Sequence, residues 1–455
     1  MAMVENWKKK IKAQKEAAAL FTVFAAIQIV IYTGVWGKPM VWDSAIYVAM
    51  GKHLFSLGNI GLWEVLRPPL IPIITGLIWK SGLPIVPFSR LIHFALTLGG
   101  SMIIYRQLKK IFDYRTAVYT LSVLLSMPVF ISNTTTLLTG IISALLITVS
   151  LNMYVQNRRK FSGTLSGIAF LTRFPAVLIS PAIGIYEVIE NRNQPVEAFK
   201  HLVIYAVPVA ALLGIYFVLN YLYFGNPLEP ITSGLSVPPS DASSIFGIFY
   251  LTQLATNPLA LLAVPGAYWL VRAREKQYYP YLVSLGVFFI FFEAYHHKEV
   301  RYALAFLPFI AVSASYAMKT IQDRFELKTG VFVSIALIIM ILSSVPIYAA
   351  SSHQNRNTKE FYQAFEGLEG NIATNNPGPI QYADFDYRAL PQGYLAGIYN
   401  QGSIDYYGVN SCAWYDTTGE AGEEIERFNQ NISGYETIYK DNSSMCNYTI
   451  YKVNQ

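Results

Sequence analysis

Charge is scarce in this chain. Only 14% of its 455 residues are Asp, Glu, Lys or Arg, against about 25% in an ordinary soluble domain, and 53% are hydrophobic. That balance excludes a soluble globular protein and implies a polytopic membrane protein. The net charge of +6 is spread over short loops, so nothing resembles a nucleic-acid footprint. There is no internal repeat of the kind many transporters carry, and no low-complexity tract. There are 6 histidines, and they form no cluster with metal spacing. The adjacent pair His296-His297 could not both face one ion from a regular helix. No tightly bound cofactor or metal is predicted, although a divalent ion remains compatible. The first apolar run lacks a small-residue cleavage site, so it is expected to stay as an anchor.

Cysteine is equally scarce: Cys412 and Cys446 are the only two. Both lie in a polar C-terminal segment with three N-x-S/T sequons, at Asn431, Asn442 and Asn447. They either pair or remain thiols. The sequons beside them favour a disulfide in an extracytoplasmic compartment, which the chain-entropy account values at about 3–4 kcal/mol.

Apolar runs are abundant. A span needs about 20 apolar residues. Runs fall near 18–36, 89–106, 116–132, 135–155, 161–172, 174–189, 201–224, 248–271, 278–294, 301–318 and 329–348. Two of these are short helices separated by Arg173-Phe174-Pro175. The proline-rich segment 68–79 is read as a helix at the outer interface. With that choice every strongly basic loop lies on the side of the N-terminal lysines, as the positive-inside rule requires. The other side then carries loop 37–88, loop 225–247, the connection 295–300 and the C-terminal region. Segment 43–57 is expected as an amphipathic interfacial helix with Asp43, Tyr47 and Met50 on one face. Strands are expected at Ile380–Ala383, Tyr435–Tyr439 and Tyr448–Val453, and helices at 358–368 and 419–430.

Four charged clusters converge on the outer face: Asp43; Glu64 with Arg67; Arg173; and His296-His297-Lys298-Glu299-Val300-Arg301-Tyr302. Each has a structural reading. Asp43 could complement a helix dipole, Glu64 and Arg67 could form an interfacial ion pair, and the last cluster could be a solvated turn. The functional reading of that cluster is a phosphate clamp, with Arg as the charge that cannot be removed and Glu299 orienting Arg301 or Lys298.

The order Asp43-x3-Tyr47-x3-Gly51-x2-Leu54-x3-Gly58, then Arg67-Pro68-Pro69-Leu70-x-Pro72, resembles the membrane-embedded GT-C glycosyltransferases. The likeness is to their protein O-mannosyltransferase and aminoarabinose-transferase branch. Leu171-Thr172-Arg173-Phe174-Pro175 resembles the paired short helices of that branch. His297-Lys298-Glu299-x-Arg301-Tyr302 is similar to the HKExRF signature of dolichol-linked mannosyltransferases. Ser44 departs from the pattern, since relatives carry a second acid there. The WWDYG motif of oligosaccharyltransferases is absent, which disfavours transfer of whole glycans to Asn.

The resemblance implies a GT-C-like polytopic α-helical fold of about 11 transmembrane helices (1–350) and a small extracytoplasmic α/β or α+β domain (351–455). It implies an integral membrane enzyme, in a plasma or ER-like membrane, with its N-terminus cytoplasmic. A single hexose, mannose first, would move with inversion from a polyprenyl or dolichyl phosphate to an acceptor hydroxyl on a glycan, lipid or protein. Asp43 would be the general base. Tyr47, Glu64, Arg67, Arg173, His296, His297, Lys298, Glu299, Arg301 and Tyr302 would bind substrate and phosphate. The alternative is a flippase for lipid-linked sugars.

Overall fold

The computed structural model describes residues 2–235, 249–352, 356–370, 372–384, 387–389, 405–411, 432–442 and 446–453. Its helices, in chain order, begin with α1 (Ala2–Val35), α2 (Trp42–Phe55), α3 (Leu70–Lys80), α4 (Ile85–Ile111), α5 (Tyr114–Ser126) and α6 (Pro128–Asn133). Then come α7 (Thr139–Val155), α8 (Arg159–Thr172), α9 (Ile179–Glu190), α10 (Pro195–Phe224), α11 (Glu229–Leu235) and α12 (Phe249–Leu254). The last are α13 (Pro258–Leu261), α14 (Ala263–Ala273), α15 (Tyr279–Ala294), α16 (Leu307–Arg324), α17 (Thr329–Ser352) and α18 (Arg356–Gln363). Five strands follow: β1 (Ile372–Thr374), β2 (Tyr387–Ala389), β3 (Tyr406–Asn410), β4 (Glu436–Asp441) and β5 (Tyr448–Lys452).

The chain divides into two compact units. The first comprises residues 1–34, 65–68 and 92–349. Among the described residues, four helices are long and apolar enough to cross a membrane, namely Lys15–Val35, α4, α10 and the 329–351 stretch of α17. These four leave the expected count of about 11 transmembrane helices unconfirmed, and prolines and polar breaks divide several of the expected runs. The expected 116–132 helix stops at Met127, which is extended (φ −69°, ψ 125°) ahead of Pro128, the conformation a following proline imposes. The expected 248–271 helix is three pieces, α12, α13 and α14, and Asn257 caps the second by accepting from the Leu259 amide at 3.0 Å. The expected break at Arg173 is present. That residue is extended (φ −158°, ψ 121°), ends α8 and starts a 3₁₀ turn over Phe174–Leu178. The expected 301–318 helix begins as a 3₁₀ turn, Val300–Ala305, before α16. The core of this unit is aromatic, with Phe24, Tyr119, Phe130, Tyr281, Phe288, Phe306 and Phe309 buried together.

The second unit comprises residues 35–64, 69–91 and 350–455. Its strands form one sheet in the order β2-β1-β3-β5-β4. β1 is parallel to β2 and β3, and β5 is antiparallel to β3 and β4. Phe361 and Phe365 pack with Ile372, Tyr448 and Ile450. The expected strand Ile380–Ala383 is instead a 3₁₀ turn, Gly378–Gln381, preceded by Pro377. The expected 419–430 helix lies outside the described residues, as do parts of loop 225–247. Cys446 is disulfide-bonded, and Cys412 lies outside the described residues.

Helix α2 is not amphipathic. It is buried on every face from Ser44 to Lys52. Gly51 and Gly76 let α2 and α3 touch backbone to backbone, since a Cβ at Gly51 would collide with Thr75, Gly76 and Pro72. Thr75 Oγ1 donates to Tyr47 O at 2.8 Å across the same contact. The Lys52 ammonium donates to Ile380 O at 2.6 Å and Ala383 O at 3.0 Å, and pairs with Asp384 at 2.6 Å. Burial lowers the Lys52 pKa below 10.5, with the Asp384 charge opposing the shift. The folded chain therefore holds this proton less tightly than the unfolded chain. Stability should rise with pH through the window between the lowered value and 10.5. Lys52→Met should flatten that slope and remove about 2 kcal/mol of thermal stability near neutral pH. Thermal unfolding of detergent-solubilised protein over a pH series measures both effects.

Candidate active site

The expected site residues divide between the two units. Asp43, Tyr47 and Glu64 belong to the second; Arg67, Arg173 and residues 296–302 belong to the first.

In the second unit Asp43 occupies the first turn of α2. There its negative charge lies at the positive end of the helix dipole. The chain before it is irregular, so its carbonyls need partners. Arg90 supplies them, donating to Val35 O (2.7 Å), Lys38 O (2.9 Å) and Pro39 O (3.1 Å). Gln381 completes the support, accepting from Met40 N at 2.8 Å and donating to Met40 O at 3.2 Å. Asp43 thus leaves a segment fixed on both sides. Tyr47, one turn on, is buried. Glu64 is half-buried in an irregular stretch after α2. Arg90 and Gln381 were not among the sequence candidates, because each acts on backbone far away in the chain.

In the first unit one carboxylate organises the 296–302 stretch. Glu299 accepts from Arg301 Nη2 at 2.8 Å, and its second oxygen is in ion-pair contact with Arg301 Nε. The same Glu299 Oε1 meets His297 Nε2 at 3.0 Å and Tyr302 Oη at 3.4 Å. Arg173 stacks on the Tyr302 ring, its guanidinium carbon 4.6 Å from the ring centre. Gly140 leaves room for this, since a Cβ there would come within 3.3 Å of Arg173 Nη1 and 3.7 Å of Arg301 O. His296 packs against Tyr295, ring centres 4.7 Å apart. His297, Glu299, Arg301, Tyr302 and Arg173 are therefore brought together. Arg67 is half-buried in the 65–68 segment.

Lys298 points elsewhere. Its ammonium lies 3.2 Å from Glu293 Oε2, with the two side chains only 1% and 2% exposed. Glu293, at the end of α15, also accepts from the Tyr250 amide at 3.2 Å. The sequence reading missed Glu293. The available signal was an acid ending a Phe-rich run five residues before a lysine.

Beside the cluster is a cavity of about 610 Å³ in the first unit. Lys298, Glu299, Val300 and Arg301 line it together with residues of α6 and of the 249–256 segment. Among the described residues no group of three or more His, Cys, Asp or Glu could hold a metal ion.

The Alg9-like mannosyltransferase family profile matches residues 70–380. The chain belongs to the Alg9-like mannosyltransferase family. The matched segment contains Arg173 and the whole 296–302 cluster but starts beyond Asp43. No curated protein matches the chain significantly. Among solved structures, ArnT from Cupriavidus metallidurans bound to undecaprenyl phosphate is similar with a TM-score of 0.72 and 13% identity, over 95% of this chain and 97% of that one. The archaeal oligosaccharyltransferase AglB from Archaeoglobus fulgidus, in complex with an inhibitory peptide and a dolichol-phosphate, has a TM-score of 0.58 and 12% identity, over 97% and 74%. The arabinofuranosyltransferase AftD from Mycobacteria has a TM-score of 0.53 and 11% identity, over 96% and 40%. At such identities the likeness establishes the fold, which is GT-C-like and mostly helical, with a small C-terminal sheet.

Removing one partner of a buried ion pair leaves an uncompensated charge and costs about 3–5 kcal/mol. Lys298→Met should therefore destabilise the protein strongly, while Lys298→Met with Glu293→Gln should recover most of the loss. Melting temperatures of the two single variants and the double variant test this coupling.

Proposed function

We propose that this protein transfers a single hexose, with mannose as the expected sugar, from a polyprenyl or dolichyl phosphate to an acceptor hydroxyl at the outer membrane face. The observation that carries the reading is the Glu299 cluster, which holds the guanidinium of Arg301 and the imidazole of His297 in place at the edge of a cavity. Membership of a mannosyltransferase family supports the chemistry. The undecaprenyl phosphate of ArnT and the dolichol-phosphate of AglB support a lipid carrier of this class. The distribution of basic loops supports a cytoplasmic N-terminus and a C-terminal region beyond the opposite face.

In this reading the Asp43 carboxylate takes the proton from the acceptor hydroxyl as its oxygen attacks the anomeric carbon. The bond from that carbon to the phosphate oxygen breaks, and its electron pair stays on the phosphate. One in-line displacement inverts the anomeric centre. General-base assistance is worth about 10²–10⁴-fold. The leaving phosphate needs no acid, but it needs its growing charge met by fixed cations. Arg67, Arg173, His297 and Arg301 are assigned that task. Tyr47, Glu64, His296 and Tyr302 shape their surroundings, and the Lys298–Glu293 pair holds the loop.

Asp43→Asn should abolish transfer from a radiolabelled polyprenyl-phosphate hexose in proteoliposomes while donor binding persists. Near-normal turnover would refute the assignment of the base. Arg301→Ala should weaken donor binding by at least about tenfold, the loss expected for a charge-assisted hydrogen bond. An unchanged donor affinity would remove Arg301 from the clamp.

A further inference from the structure

We infer that the cavity beside the Glu299 cluster is a subsite for the uncharged pyranose ring of the donor, with Gln253 and Asn133 reading its hydroxyls. This rests on the reading of the protein as a polyprenyl-phosphate-sugar transferase. The lining joins the charged Glu299 and Arg301 to the amides of Asn133 and Gln253 and the hydroxyls of Ser132 and Thr256, set among apolar side chains. Gln253 is half-buried, and among the described residues its side-chain amide has no hydrogen-bond partner. Asn133 is oriented by its own helix, with Nδ2 donating to Val129 O at 2.8 Å and to Ser132 Oγ at 3.3 Å, which leaves Oδ1 as an acceptor. Uncharged groups that both donate and accept match sugar hydroxyls.

A prenyl chain would suit the apolar part of the lining but would bury those amides without partners, which is unfavourable. A volume of about 610 Å³ is within the usual range for small-ligand sites, about 300–1,000 Å³. Glu293 ties Lys298 to the Tyr250 amide at the start of α12, the helix that carries Gln253.

The test compares two lipids in nanodiscs, a polyprenyl-phosphate hexose and the same polyprenyl phosphate without sugar. Wild-type protein should bind both. Gln253→Leu and Asn133→Ala should each lose about tenfold in affinity for the sugar-bearing lipid, about one hydrogen bond's worth, and keep their affinity for the bare phosphate lipid. Retained phosphate-lipid binding also shows that the variants are folded. Equal loss for both lipids, or no loss for either, overturns the subsite. A raised KM for the acceptor with unchanged donor affinity overturns it too, by moving the ring to the acceptor. Wild-type protein that binds neither lipid overturns the functional reading itself.

Discussion

The geometry of the 296–302 stretch depends on a single carboxylate. Glu299 lies between His297 and Arg301 and binds both, which makes one bonded set of the three. His297 meets Glu299, while Lys298, between them in the chain, turns elsewhere. There it is buried against Glu293. One charged segment thus does two jobs, a partly exposed cluster facing a cavity and a buried pair that anchors it.

Interrupted helices make that arrangement possible. A continuous helix satisfies its own amides and carbonyls and has no backbone to spare. At Met127, Arg173 and Tyr295–Phe306 the chain leaves the helical path. The freed groups and the short helices that follow bring polar side chains to the cavity. The Tyr250 amide at the start of α12 shows the general device, since it is met by Glu293 from another helix. In the second unit the same problem is solved with cations. Arg90 and Lys52 spend their donors on carbonyls of irregular chain, and that steadies the approach to Asp43.

Much of this could be read from residues alone. The membrane class followed from the low charge and long apolar runs. The Arg173 break followed from its neighbouring proline, and the 296–302 cluster from its density of charge. The motifs also led to the GT-C superfamily, in agreement with the family to which the chain belongs. What was misread was misread for a physical reason. The 116–132 and 248–271 runs keep their hydrophobicity across a proline or an Asn cap, so hydropathy joins what backbone sterics divide. The Ile380–Ala383 strand failed because its apolar residues fill a turn held by Lys52 and Gln381.

By itself the sequence determined the properties that act over a few residues: which stretches avoid water, where proline forbids helix, and which segments gather charge. Only the tertiary structure decided how those charges pair. Nothing local says that Lys298 should turn to Glu293 while Arg301 takes Glu299, or that Arg90 should serve carbonyls some fifty residues earlier in the chain. Those choices depend on which groups burial deprives of water, and burial is a property of the packed fold.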